Sequence, residues 1–333
     1  MTRPRHGMGK RTIYAGIDIG GTKLHAVVAT AKGRVIGRAR KKVGSDHEFE
    51  WVMQRLLGVV QKACRKADVR LDQLAAVGIG APSPVLPDGT AVHAPNLGWR
   101  RVPLVSRAAE LLERPCFAAN DCDSGTYGEY RYGAARGART AAGLFMGTGL
   151  GGGLVFDGQL LRGDNQQAAE VGHMVVVKDG ALCGCGRRGC LEAYASKTGV
   201  ARRLREQIQA RGQPSLLVDG DEVDLSELRS GALARAYRAG DAVARAVLDE
   251  AADYLGVGVG NLITLLGPSV IVLGGGVLEA LGEELLERIC RQAALVAFPE
   301  SSFADTAIRL AALGDDAVAL GAVAWAAHQH QAP

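Results

Sequence analysis

The chain has 333 residues, 47% of them hydrophobic, and 39 Lys and Arg against 35 Asp and Glu give a net charge of only +4. That is enough apolar material for a large core split between two lobes. No run of about 18 apolar residues is present to span a membrane, and 5% aromatic content offers little surface for base stacking, so neither membrane nor nucleic acid is an expected partner.

Residues 1–11 are basic and lack the apolar run of a secretion signal, so they read as a disordered tail outside the fold. The elements that follow alternate short apolar strands with helical stretches, which makes the class α/β. Strands are expected over 14–18, 24–30 and 35–41, with a Gly20-Gly21 turn after the first. Helical periodicity covers 48–66, and another apolar strand covers 74–80. Near residue 142 the opening repeats: an apolar strand (142–146), the turn Gly147-Thr148-Gly149, a second apolar strand (153–156) and the turn Asp157-Gly158. This order, seen twice, predicts a duplicated domain whose two lobes form a cleft, an arrangement suited to a nucleotide-dependent transferase. Residues 211–230 read as a polar surface connection. Helix is expected up to Leu266, where Gly267-Pro268 stops it. A buried strand follows over 270–273, then Gly274-Gly275-Gly276 and a helix. A last helix is expected over 315–328, its acidic start matching the helix dipole.

Four motifs carry chemistry. In Asp18-Ile19-Gly20-Gly21-Thr22-Lys23 the glycines let backbone N–H groups reach phosphate oxygens. Thr22 adds a hydroxyl, Lys23 a charge, and Asp18 can hold Mg²⁺ through water; a plain hairpin turn is the bland alternative. Gly147-Thr148-Gly149-Leu150-Gly151-Gly152-Gly153 fits G-x-G-x-x-G, but a dinucleotide site needs a helix directly after it, whereas a strand is expected here. Asn120-Asp121 is weak by itself and often a turn. Its place between the two Gly-Thr turns lets Asp121 act as a general base toward a hydroxyl, and phosphoryl transfer needs little beyond positioning, charge neutralisation and such a base.

The fourth motif is the sharpest. His173, Cys183, Cys185 and Cys190 have the spacing H-x9-C-x-C-x4-C, with glycines in the cysteine loop. Three thiolates and an imidazole complete a tetrahedral zinc shell, and a closed shell makes that zinc structural. Clustered cysteines without a secretion signal also fit a reduced, cytoplasmic setting. Glu170 and Glu192 flank the loop and are suited to accept pairs of sugar hydroxyls.

Together these motifs closely resemble the ROK family (repressors, open reading frames, kinases), its bacterial glucokinases above all, over about residues 14–327. The resemblance implies an actin-like ATPase (ribonuclease H-like) fold with two lobes around a cleft: 12–120 plus 313–333 in the N-terminal lobe, and 121–312 in a C-terminal lobe holding the zinc loop and a dimer interface. It implies an ATP:hexose 6-phosphotransferase with Asp121 as catalytic base, homodimeric, using Mg²⁺ with ATP. Sugar contacts would come from Asn96, Asn120, Asp121, Glu170, His173 and Glu192, with His173 also on zinc. Phosphate contacts would come from Asp18, Gly20, Gly21, Thr22 and Lys23, and from Gly147, Thr148 and Gly149. Gly274, Gly275 and Gly276 match the adenosine side. Ser83 and Gln166-Gln167-Ala168-Ala169 depart from the family pattern near the expected sugar pocket. Other family kinases, of N-acetylmannosamine, fructose or allose, are the nearest rivals to a glucose kinase. A sugar-sensing repressor would need a DNA-binding module, for which about a dozen residues before the first strand are too few, and a catalytically silent sugar binder would not need both phosphate turns.

Overall fold

A computed structural model describes residues 12–218 and 228–331; the basic segment 1–11 and the middle of the polar connection, 219–227, lie outside the described residues. Packing divides the protein into two units, one of residues 12–132, 163–166 and 315–331, the other of 133–162, 167–218 and 228–314.

The first unit opens with β1 (Ile13–Ile19), β2 (Lys23–Thr30) and β3 (Val35–Lys42), then helix α1 (Phe49–Lys66), β4 (Leu74–Ala81), the ribbon β5 (Ala91–Ala94) and β6 (Trp99–Val102), α2 (Leu104–Leu112), β7 (Cys116–Asn120) and α3 (Asp121–Tyr132). The sheet order is β3-β2-β1-β4-β7. β1 pairs antiparallel with β2 and parallel with β4. β1 and β4 are nearly continuous runs of buried residues, as expected of strands covered on both faces. β3 lies at the edge, where Arg38, Arg40, Lys41 and Lys42 are exposed and discourage edge-to-edge pairing.

The second unit begins with β8 (Thr140–Met146), β9 (Leu150–Phe156) and β10 (Gln159–Leu160). After the cysteine loop come α4 (Glu192–Ala195), α5 (Lys197–Arg205), α6 (Ser230–Arg238), α7 (Ala242–Leu266), β11 (Val270–Gly274), α8 (Gly276–Val296), α9 (Glu300–Ala304) and β12 (Ala307–Leu310). Its sheet order is β10-β9-β8-β11-β12. Element for element this repeats the first sheet: an antiparallel three-strand meander, then two parallel strands. Gly151, Gly152 and Gly153 lie inside β9, so the second glycine turn is confined to residues 147–149.

The chain then returns to the first unit as α10 (Ala317–Gln331). Between Ala317 and Ala327 only Val318 escapes full burial, because this alanine-rich helix is packed on one side by the sheet and on the other by α3. The approach to α3 is so close that a Cβ on Gly321 would overlap the Ser124 carbonyl. This packing puts α3 in the first unit, where the expected division placed it in the second lobe. The acidic pair expected to open the last helix sits instead in the turn Gly314–Asp316. Asp315 pairs with Lys23 and Arg40, and Asp316 with Arg38 and His25, so these carboxylates hold the β2–β3 hairpin more than they serve a helix dipole.

Candidate active site

The expected site residues fall into two groups, one in each unit. In the first unit, β1 and β2 are joined by the Gly20–Thr22 turn, closed by the Gly20 N–H donating to the Lys23 carbonyl at 3.0 Å. Thr22 is exposed at the turn, and its carbonyl accepts the Val43 N–H at 2.9 Å. A cavity of about 590 Å³ opens beside it, lined by Gly21, Thr22, Lys23, Lys42, Ser45 and His47 among others. Lys23 is held by Asp315 at 3.5 Å. Asn96 stands on the Pro95–Leu97 turn between β5 and β6, exposed, and a Cβ on Gly21 would lie 3.3 Å from its own Cβ. The structure therefore brings Asn96 to the Gly20–Thr22 turn.

Asn120 ends β7 and Asp121 opens α3. Asn120 Oδ1 accepts the N–H groups of Cys122 at 2.8 Å and Asp123 at 3.3 Å, which is helix capping, and its side chain also hydrogen-bonds the Asp121 carboxylate. The Asp121 carboxylate also accepts the Cys122 N–H, at 2.8 Å. Burial nonetheless pushes the Asp121 pKa above its ordinary value, against the pull of that hydrogen bond. Asp18 in β1 is pushed up to about 7, first by burial and then by the Asp121 charge, with Lys23 acting in the opposite direction. Two carboxylates of raised proton affinity thus share one end of this sheet, a pattern typical of acid–base sites.

Ser83, one of the departures from the family pattern, is buried. Its hydroxyl donates to the Pro84 carbonyl and accepts the His93 N–H, both at 2.9 Å, so it is committed to holding β5.

In the second unit the four metal candidates converge. One donor atom from each of His173, Cys183, Cys185 and Cys190 lies within 4.8 Å of every other. Cys185 and Cys190 Sγ are 3.7 Å apart, and Cys183 Sγ is 3.8 Å from His173 Nδ1. A tetrahedral zinc with ~2.3 Å bonds to sulfur sets sulfurs roughly 3.8 Å apart, so the cluster fits such an ion. The loop turns through Gly186 and Gly189, both at positive φ, and a Cβ on Gly189 would overlap the Val177 carbonyl. With Nδ1 facing the sulfurs, His173 keeps Nε2 for another partner.

Glu192 opens α4 just past the loop. Its Oε2 accepts the Leu150 N–H at 2.9 Å and its Oε1 is 3.3 Å from Cys183 Sγ. Glu170 is exposed, ahead of the turn Val171–His173, and follows Ala169, whose φ is +67°. The Gly147–Gly149 turn lies at the end of β8, and β11 ends beside it, with Gly274 in register with Phe145. Gly275, at φ +95°, precedes α8; a Cβ there would crowd Met146 at 2.5 Å. The free N–H groups at the start of this 21-residue helix form an anion-attracting end next to the second glycine turn.

Three contributors had no local signal. Asp315, which fixes Lys23, lies 292 positions along the chain from it (315 − 23). Lys197 and Thr198, which bind the second turn through its carbonyls, lie 50 residues beyond it.

The sequence pattern of the ROK family matches residues 14–329. The chain belongs to the ROK family. This ROK protein is 34% identical over 321 residues to a glucokinase of Halalkalibacterium halodurans, covering 96% of each chain. It also superposes on the ROK family glucokinase from Streptomyces griseus, solved in complex with glucose and AMPPNP, with TM-score 0.81 and 33% identity over 95% of this chain and 99% of that one. The xylose repressor of Caldicellulosiruptor bescii is 30% identical over 315 residues, 93% of this chain and 76% of the repressor. The repeated α/β units are those of the actin-like ATPase fold.

Proposed function

We propose that the protein is an ATP-dependent hexose kinase that phosphorylates the 6-hydroxyl of glucose, with Asp121 as general base. The observation that carries this reading is Asp121 itself, a carboxylate of raised proton affinity capped into the start of α3, in a chain that matches a glucokinase over 96% of its length. Asp121 takes the proton of the sugar hydroxyl as its oxygen attacks the γ-phosphorus; the bond to the bridging oxygen breaks and ADP leaves with that electron pair. Asn96, Asn120, Glu170, His173 Nε2 and Glu192 hold the remaining hydroxyls. Phosphate oxygens rest on Gly20, Gly21, Thr22 and Lys23 and on Gly147, Thr148 and Gly149, and Gly274, Gly275 and Gly276 receive the adenosine side.

Mg²⁺ carried with ATP would neutralise phosphate charge, with Asp18 as the carboxylate nearest that task. Zinc held by His173, Cys183, Cys185 and Cys190 would fix the loop between Glu170 and Glu192, the distances among the donor atoms being its support. A homodimer is favoured by the apolar side chains that the second unit leaves open: Leu265 is 75%, Leu295 77% and Phe298 73% exposed. A cytoplasmic enzyme is consistent with the ATP requirement, and among the described residues no helix is long and apolar enough to cross a membrane.

The test is an ADP-release assay over glucose, mannose, fructose, N-acetylmannosamine and N-acetylglucosamine. Glucose is expected to give the highest kcat/KM. A higher value for an N-acetylated sugar or fructose would reassign the substrate, and no ADP release with any of them would remove the kinase reading.

A further inference from the structure

The segment that follows the last cysteine ligand wraps the second glycine turn. The Lys197 N–H donates to the Gly147 carbonyl at 3.0 Å, and the Thr198 N–H to the Thr148 carbonyl at 3.2 Å. The Thr198 hydroxyl donates to that same carbonyl at 2.8 Å. Beyond the turn, Glu192 holds the Leu150 N–H. Ser196 anchors the segment: it is buried, and its hydroxyl caps α5 by accepting the Gly199 N–H at 3.0 Å.

Peptide geometry gives this clamp a consequence. In a trans peptide the C=O of one residue and the N–H of the next point in opposite directions. Fixing the Gly147 carbonyl therefore aims the Thr148 N–H, and fixing the Thr148 carbonyl aims the Gly149 N–H, both away from the clamp. The Gly147 N–H is spent on the carbonyls of Phe145 and Gly149. Among the described residues, the N–H groups of Thr148 and Gly149 have no acceptor within the chain. They are two parallel donors, oriented from behind and left for an external oxyanion.

We propose that Thr198 is a positioning residue for nucleotide binding, its hydroxyl orienting the 148–149 peptide so that the Gly149 N–H meets a phosphate oxygen. The proposal rests on the assignment of the Gly147–Gly149 turn to phosphate. It also makes the stretch from Cys190 to Thr198 a link between the metal loop and the nucleotide, so that the loop serves both substrates.

Thr198→Val removes only the hydroxyl's hydrogen bond and keeps the backbone one; Thr198→Ser keeps both. Steady-state kinetics and calorimetric titration with AMPPNP are run on the full-length protein. Loss of one hydrogen bond that orients the donor predicts a roughly five- to tenfold rise in KM for ATP and in Kd for AMPPNP for Thr198→Val. KM for glucose should stay within about twofold on the same argument, and Thr198→Ser should restore the ATP values. A Thr198→Val protein with unchanged ATP KM and AMPPNP Kd would overturn the proposal, as would failure of serine to rescue, because the effect would then belong to the methyl group's packing. If the wild-type protein itself shows no AMPPNP binding, the phosphate assignment of the turn fails; if wild type binds AMPPNP and Thr198→Val is silent, the positioning role fails alone.

Discussion

The Glu192 carboxylate accepts the Leu150 N–H at 2.9 Å, across 42 residues of sequence, and so ties the metal loop to the end of the second glycine turn. A Cβ on Gly149 would overlap Glu192 Oε2, so the carboxylate would have to shift to admit a side chain there. Glu192→Ala leaves a half-buried N–H without its acceptor, an expected loss of about 1–3 kcal/mol in stability. Glu192→Gln retains an acceptor and should recover most of it. Both variants should raise KM for glucose, because neither keeps the carboxylate. Thermal melts and glucose titrations check this; a Glu192→Ala protein with wild-type melting temperature would show that the contact is incidental.

Metal removal should be felt in both stability and sugar affinity. Purified protein is expected to carry one zinc per chain by elemental analysis, and Cys190→Ser, at a fully buried ligand position, to carry none. Ligand sets of this kind supply folding free energy directly, so chelation should lower the melting temperature and weaken glucose binding together. Metal-free protein that melts and binds glucose like the holoprotein contradicts the structural role.

The acid side of the pH profile follows from the raised carboxylates. A carboxyl group is neutral below its pKa, and both a general base and a carboxylate that holds Mg²⁺ must be charged, so activity falls as pH drops through the raised values. Asp18, pushed up to about 7 by burial and by the neighbouring Asp121 charge, should give kcat/KM for ATP an acid limb near pH 7. The limb belongs to the interacting pair, and in kcat it should move to lower pH, because bound Mg²⁺–ATP favours the charged carboxylate. Asp18→Asn should leave only the acid limb set by the raised Asp121 carboxylate. A profile flat down to the ordinary carboxylate range contradicts this.

Ala169 stands at φ +67° immediately before Glu170, a conformation glycine adopts without strain. Ala169→Gly should stabilise the protein by about 0.5–1 kcal/mol, measurable as a rise in denaturant midpoint, with glucose KM little changed. A destabilised variant would mean that the methyl group contributes packing that outweighs the strain.

Much of this architecture was legible in the residues. The strands begin and end within a few residues of the apolar runs, because β1, β4, β8 and β11 are buried on both faces and have no polar side to blur the pattern. The duplication was visible as two Gly-Thr turns, and the sheet orders repeat it. The metal cluster was legible because its ligands are close in sequence and their chemistry is specific. What escaped is long-range. That α3 joins the first unit depends on α10 returning from the end of the chain to pack against Ser124 and Gly128. Asn120 stands out in the sequence as a candidate sugar contact, but only backbone geometry reveals that its carbonyl oxygen also caps a helix. Thr198 and Asp315 carry no motif, and their roles exist only once the fold brings them to their turns.

The central claim is that Asp121 accepts the sugar's proton. The most direct measurement compares glucose-dependent ADP release by wild-type and Asp121→Asn protein, alongside glucose binding by titration. Asparagine keeps the size and an acceptor for the Cys122 N–H but cannot take a proton, so kcat should fall by at least about 10²-fold while glucose binding and melting temperature stay close to wild type. Turnover within a fewfold of wild type in that variant would contradict the account.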